Sequence, residues 1–115
     1  MNKRVLGSRY EKAAGYYLEQ QGYEILQYNY RCRFGEIDLI AKDGEYLVFC
    51  EVKYRRSDQS GSALEAVDAR KQKRLSLCAR QYLTSHGMEE QPARFDVIGI
   101  QGNEIIHIED AFWGS

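Results

Sequence analysis

The sequence is poor in proline, histidine and cysteine, and each shortage excludes a class of protein. One Pro and ten Gly among 115 residues are too few for a disordered or linker-rich chain. The two His and three Cys include no Cys-x-x-Cys pair, which argues against a structural zinc site. Cys32, Cys50 and Cys78 are therefore expected to be free thiols in a reducing compartment.

Long apolar runs and a strong overall charge are lacking as well. No stretch approaches the ~18 apolar residues of a membrane span, and residues 1–12 lack the apolar segment of a signal peptide. We therefore expect a cytoplasmic protein with no membrane partner. A formal net charge of −1 does not by itself indicate nucleic-acid binding, although the stretch from Lys53 to Arg74 carries seven basic and three acidic residues.

The order of the predicted elements indicates an α/β fold. With 43% hydrophobic and 29% charged residues, residues 1–115 are expected to form a single domain. Periodicity predicts a helix, three strands, a second helix and two further strands. The second helix would cross over between the third and fourth strands and make them parallel. The result is a mixed central β-sheet of about five strands flanked by helices.

Two segments show the spacing of amphipathic helices. The first ends near Gln20 and has the capping-box pattern at Ser8 and Glu11, although a start before Ser8 also fits the sequence. The second ends at a His-Gly pair and is either one long helix or two with a break near Asp68. A polar loop over residues 55–62, expected to be mobile, precedes it.

Five segments have the composition of strands, rich in β-branched and aromatic residues. They cover residues 23–30, 35–41, 46–53, 93–100 and 103–110. Asp43-Gly44 is a strong signal for a two-residue hairpin turn between the second and third strands. The last two strands are expected to be joined by a tight turn at the Gly between them.

The predicted hairpin carries four charged residues, namely Glu36, Asp38, Glu51 and Lys53. A turn centred on Asp43-Gly44 pairs Glu36 with Glu51 and places Asp38 diagonally from Glu51, with Cβ atoms roughly 7 Å apart. Since cross-strand partners and residues two apart share a face, all four charges project from one side. Two carboxylates at this separation suit a shared metal ion, and without an ion they repel each other.

The rest of the hairpin is apolar. One face carries Ile37, Leu39, Val48, Cys50 and Val52. Further apolar residues on the charged face make both sides hydrophobic, which is typical of central, buried strands. The residue pattern alone leaves two interpretations open: cross-strand salt bridges on a solvated rim, or a metal site.

The ordered motifs resemble a known group of proteins. The segment EIDLI around Asp38, followed by EVK from Glu51 to Lys53, resembles the D…ExK core of the PD-(D/E)XK nuclease superfamily. More closely, most of the chain resembles the YraN-like family of small bacterial proteins, the UPF0102 group, related to archaeal Holliday-junction resolvases. The resemblance includes the first helix with Glu11, and the motifs NYR, GEIDLI, VFCEVKYR, RFDVI and HIEDAF. Ile37 stands where the superfamily has Pro, but only the Asp38 carboxylate is required chemically.

The resemblance implies a restriction-endonuclease-like domain that cleaves branched or structured DNA with Mg²⁺ or Mn²⁺. Asp38 and Glu51 would hold the ion. Lys53 would orient or deprotonate the attacking water, or counter phosphate charge. Glu11 would point to the same centre as a catalytic and metal-binding residue; its alternative is an ordinary capping-box residue. Glu36 would either support the ion indirectly or lie exposed.

Expected contacts with nucleic acid come from six basic residues: Arg31, Arg33, Arg55, Arg56, Lys71 and Lys73. Contacts of this kind with phosphate give affinity rather than sequence specificity, and each residue has a solvated surface position as its alternative. Symmetric cleavage of a junction would require a homodimer.

Two other interpretations compete with a nuclease. One is a non-catalytic nucleic-acid-binding protein that uses the same fold, and a weaker one is a scaffold that binds no nucleic acid. Among the remaining polar residues, Asp96 is either a structural partner of Arg94 or a peripheral part of the site. His86 is expected at a helix end, and His107 on a strand surface.

Overall fold

Two helices and five strands make up the part of the chain that the structure describes, residues 3–55 and 67–112 of a computed structural model, with side chains from residue 9 onward. In chain order they are α1 (Lys3–Gln20), β1 (Glu24–Cys32), β2 (Gly35–Asp43), β3 (Tyr46–Arg55), α2 (Ala69–Ser85), β4 (Ala93–Gln101) and β5 (Glu104–Phe112). The predicted order of elements is confirmed. Most of the predicted loop at 55–62, together with Arg56, lies outside the described residues.

The strands form one mixed sheet in the order β1-β2-β3-β4-β5. The β1–β2, β2–β3 and β4–β5 pairs are antiparallel, whereas β3 and β4 are parallel. The parallel pair follows from the crossover through α2, because parallel neighbours cannot be joined by a tight turn. The predicted α/β fold with a mixed sheet is confirmed.

The helices cover opposite faces of the sheet. Ala14 and Leu18 of α1 pack on Leu39 and Val48, and α2 packs on a cluster that includes Phe49. Both strands of the hairpin are therefore apolar on two sides, as expected for central strands. Among the described residues, neither helix is long and apolar enough to cross a membrane.

The sequence left both helix starts open. Because α1 begins at Lys3, Ser8 and Glu11 lie inside the helix, and the capping-box interpretation is wrong. Near Asp68, where the sequence allowed either one long helix or a break, α2 begins: the Asp68 carboxylate accepts a hydrogen bond from the Lys71 N–H at 2.9 Å and caps the helix. Residues 56–66 lie outside the described part of the chain. At the other end of α2, His86 is the C-cap, as predicted.

The hairpin turn is displaced by one residue from the prediction. Its central residues are Gly44 and Glu45, since Asp43 pairs with Tyr46. Gly44 takes the first turn position with φ +60°, as in a type II′ turn, which places glycine first. The displacement changes each cross-strand partner by two residues. Because side chains alternate with a period of two, the predicted faces are kept from Leu39 to Ala41 and along β3, even though the predicted partners are wrong.

Candidate functional site

A fork in the sheet builds the candidate site. The β2–β3 ladder runs from the turn to Leu39 and Cys50. Beyond this point residues 35–37 of β2 pair with β1, while residues 51–55 of β3 pair with β4. The two central strands therefore separate, and polar groups can enter the sheet between them.

Asp38 occupies the fork. Its Oδ2 accepts a hydrogen bond from the Val52 N–H at 2.9 Å, so the carboxylate takes the place of a backbone carbonyl of the missing ladder. Continuing the observed register by one residue brings Asp38 level with Glu51, rather than diagonal to it as predicted. Ile37 was also expected beside Leu39, but it packs in the cluster under α2. The strand leaves its partner here, so regular alternation ends.

Glu51 is a buried carboxylate held by two lysines. Its side chain is 3% exposed, and its Oε2 lies 2.5 Å from Nζ of Lys71 and 3.6 Å from Nζ of Lys53. Within the described residues, this oxygen receives no well-oriented hydrogen bond. The Lys71 contact is therefore one of distance and charge rather than of directed hydrogen bonding.

The two facing carboxyl groups share one proton when no ion is present. Burial, and then the hydrogen-bonded Glu51 carboxylate, raise the pKa of Asp38 to about 9. Burial also acts to raise the pKa of Glu51, but the Asp38 carboxyl and the Lys71 ammonium outweigh it, and the pKa of Glu51 is lowered. Ionising both of two neighbouring carboxyl groups is costly because the two negative charges repel each other. Without a metal ion, the site therefore holds a neutral Asp38 beside an ionised Glu51.

Glu11 reaches the fork from α1. Carboxylate oxygens of Glu11, Glu36 and Asp38 all lie within 4.8 Å of one another, close enough to hold one metal ion. Burial raises the pKa of Glu11, and a hydrogen bond with the Asn29 side chain opposes that rise. Glu36 is also paired with Arg31, whose Nε lies 2.8 Å from Glu36 Oε2. Four carboxyl groups therefore meet at the fork, from α1, β2 and β3.

Asn29 is a site residue whose role the sequence did not indicate. It has φ +54° inside β1, between the residues that pair with Leu39 and Ile37. Asn tolerates this left-handed conformation better than most residues. Residues in such sparsely populated backbone conformations often occur at functional sites. Here the Asn29 side chain reaches Glu11. The sequence signals were the NYR motif, which begins at Asn29, and a polar residue in the middle of an aromatic strand.

The predicted basic residues divide into two groups. Lys71 lies inside the site on Glu51, whereas Arg33 and Lys73 are exposed. Arg74, absent from the predicted set, lines a cavity of about 230 Å³ together with Asp38, Glu51 and Lys71. The signal for Arg74 was its position one helical turn after Lys71 on the same face.

Asp96 belongs to a separate, closed network. It is fully buried and accepts hydrogen bonds from Arg94 Nε at 3.1 Å and from the Asp110 N–H at 3.1 Å. His107 Nε2 lies 2.7 Å from its second oxygen. Asp96 is therefore the structural partner of Arg94, and the predicted surface position of His107 is wrong. His107 is covered because Tyr17 of α1 packs over it.

Comparison with known proteins places the chain in a family. A family profile described as "Uncharacterised protein family UPF0102" matches residues 10–100. A "UPF0102 protein" from Lachnoclostridium phytofermentans is 47% identical over 113 residues, which cover 97% of this chain and 96% of the relative. The chain belongs to the UPF0102 family. A second "UPF0102 protein", from Syntrophus aciditrophicus, is 49% identical over 106 residues, 89% of this chain and 84% of the relative.

UPF0102 membership confirms the part of the resemblance that names this family. The matched segment contains the carboxylates of the fork and both lysines on Glu51. The names of these relatives give the family and no activity. The chemistry of this UPF0102 protein is therefore argued from its own residues.

Proposed function

We propose that this UPF0102 protein is a metal-dependent endonuclease, resolvase-like, which hydrolyses phosphodiester bonds of branched or structured DNA in the cytoplasm. The observation that carries the proposal is the pairing of Asp38 with Glu51 in the fork, with Lys53 beside Glu51. Converging carboxylates repel each other and also repel a phosphate. A pure binding surface would gain nothing from them, whereas a bound cation makes them useful.

The donor set fits Mg²⁺ or Mn²⁺. Glu11, Glu36, Asp38 and Glu51 supply only oxygen donors, which hard divalent cations prefer. Among the described residues, one buried oxygen of Glu51 has no directed hydrogen-bond partner. When bound, the cation would supply Lewis acidity toward the phosphate and activation of a water molecule. Asp38 and Glu51 would hold it between them, with Glu11 and Glu36 completing the cluster.

The lysines would perform the remaining chemistry. Burial, and then the neighbouring Lys71, lower the pKa of Lys53, which brings its amine closer to accepting a proton from the attacking water. Lys71 and Arg74 line the same cavity and would counter the charge that develops on the phosphate. Arg31 lies on β1, the strand at one edge of the sheet, where it would contact the DNA backbone.

The test is a cleavage assay on purified protein. Four-way junctions, flaps, single strands and duplexes are incubated with Mg²⁺, with Mn²⁺ or with EDTA. We expect cation-dependent cutting that Asp38→Asn and Lys53→Ala abolish, whereas Lys42→Ala, an exposed lysine of the same hairpin, keeps it.

Cleavage that persists in Asp38→Asn would overturn the assigned site. Binding without cutting by any form would favour the non-catalytic alternative. Paired cuts at symmetric positions of a junction would support action as a homodimer, and single cuts would argue against it.

A further inference from the structure

A stacked pair of tyrosines lies next to the carboxyl cluster. The rings of Tyr10 and Tyr54 are 3.9 Å apart between centroids, with an angle of 15° between their planes. Tyr10 precedes Glu11 on α1, and Tyr54 follows Lys53 on β3. The pair therefore joins two elements that each deliver a residue to the fork.

One ring of the pair is exposed and the other is half-buried. Tyr54 is 41% exposed, and it lies on the part of β3 that has separated from β2. The two rings are nearly parallel and in contact, so each holds the other in place. What the pair offers to solvent is aromatic surface in a fixed orientation.

We propose that the Tyr10–Tyr54 pair is a stacking platform for an unpaired nucleobase adjacent to the phosphate in the fork. This inference rests on the proposed function, because the phosphate site orients the strand. The cations for the phosphate lie on the α2 side, at Lys71 and Arg74, and the tyrosines on the α1 side. A nucleotide that enters the fork would have its phosphate at the cluster and its base against the rings.

Stacking on tyrosine accepts any base, because every base has a π-face. Stacking on tyrosine does require that the base is not already stacked on its neighbouring bases. Unstacking is least costly for bases that are already unpaired, as at branch points, flaps and bulges. The platform would thus make the enzyme selective for structure rather than for sequence.

The test measures binding without cleavage, in an Asp38→Asn background. The probes are a flap DNA with 2-aminopurine at the unpaired nucleotide beside the branch, and a blunt duplex of equal length. We expect Tyr54→Leu to weaken flap binding by about tenfold, the scale of base–aromatic stacking, and to abolish the change in 2-aminopurine fluorescence. Duplex affinity should be unchanged.

Two variants separate stacking from packing. Tyr54→Phe keeps the ring and loses the hydroxyl, so it should bind the flap within about threefold of the parent. Tyr16→Leu changes a tyrosine of the same helix that is 66% exposed and lies on another face, and it should have no effect. Thermal unfolding of each variant checks that the fold is retained.

Equal losses on flap and duplex, or no loss on either, would overturn the platform. If wild-type protein cleaves no DNA while Tyr54→Leu still loses flap binding selectively, the proposed catalysis fails and the platform stands. If wild type cleaves and Tyr54→Leu binds the flap normally, the platform fails alone.

Discussion

Replacing Asp38 with Asn should stabilise the metal-free protein, and increasingly so as the pH rises. In the folded protein Asp38 has a pKa of about 9 because of burial and of Glu51, whereas an unfolded Asp titrates near 3.9. Folding therefore retains a proton that the unfolded chain has lost. Asn mimics the protonated form: its oxygen can accept from the Val52 N–H, and its amide can donate to Glu51.

The size of the effect follows from proton linkage. Between about pH 5 and pH 8 the folded wild type binds one proton more than the unfolded chain at this group. Its free energy of unfolding then falls by about 1.4 kcal/mol per pH unit, or about 4 kcal/mol over the window. Glu51, whose pKa is lowered, is ionised in both states there and does not contribute. The total free energy of unfolding of a small domain is only about 5–15 kcal/mol, so a change of this size is readily measured.

The assay is urea denaturation in EDTA at pH 5, 6, 7 and 8, for wild type and Asp38→Asn. The difference in unfolding free energy should grow with pH at the stated slope, and the two histidines cancel because both proteins contain them. Glu104→Gln, which removes an exposed carboxyl from β5, is the matched control. A difference that stays constant within about 0.5 kcal/mol would refute the shared-proton description of the fork.

Three further changes test other parts of the structure. Lys71→Met should bind Mn²⁺ several-fold more tightly in calorimetry, since the ammonium on Glu51 competes with the ion; unchanged affinity would contradict this competition. Asp96→Ala should cost about 3–5 kcal/mol in urea denaturation, because Arg94, His107 and the Asp110 N–H each lose a bond to a fully buried carboxylate; a cost below 1 kcal/mol would argue against that network. Gly15→Ala places a Cβ against the Tyr28 hydroxyl and should destabilise by about 1–3 kcal/mol, with partial rescue by Tyr28→Phe as the check.

The sequence was most informative where local pattern decides the outcome. Period-two alternation put Glu51 and Lys53 on one side of a central hairpin, where they lie 3.6 Å apart, and the face survived an error in the turn because the error shifted partners by two. The crossover length predicted the parallel β3–β4 pair in the same way. Both inferences depend only on neighbours along the chain.

What the sequence could not predict depends on contacts between distant elements. Pairing rules state which strands are neighbours but not where they separate, so the fork and the level position of Asp38 and Glu51 were missed. Arg74 became a lining residue only when α2 settled over the fork, and His107 was buried by Tyr17, 90 positions away. Asn29 has a left-handed backbone conformation inside a strand, which strand propensity does not predict. Exceptions to local sequence rules are often found at functional sites.

The NMR signal of the Val52 amide reports on the state of the fork. Its proton is bonded to the Asp38 carboxyl instead of to a strand carbonyl, and such a bond strengthens when its acceptor becomes charged. In a ¹⁵N-labelled sample this single resonance would shift when the carboxyl loses its proton or gains a cation. Occupancy of the site would thus be visible in the spectrum without a substrate and with no probe beyond the isotope.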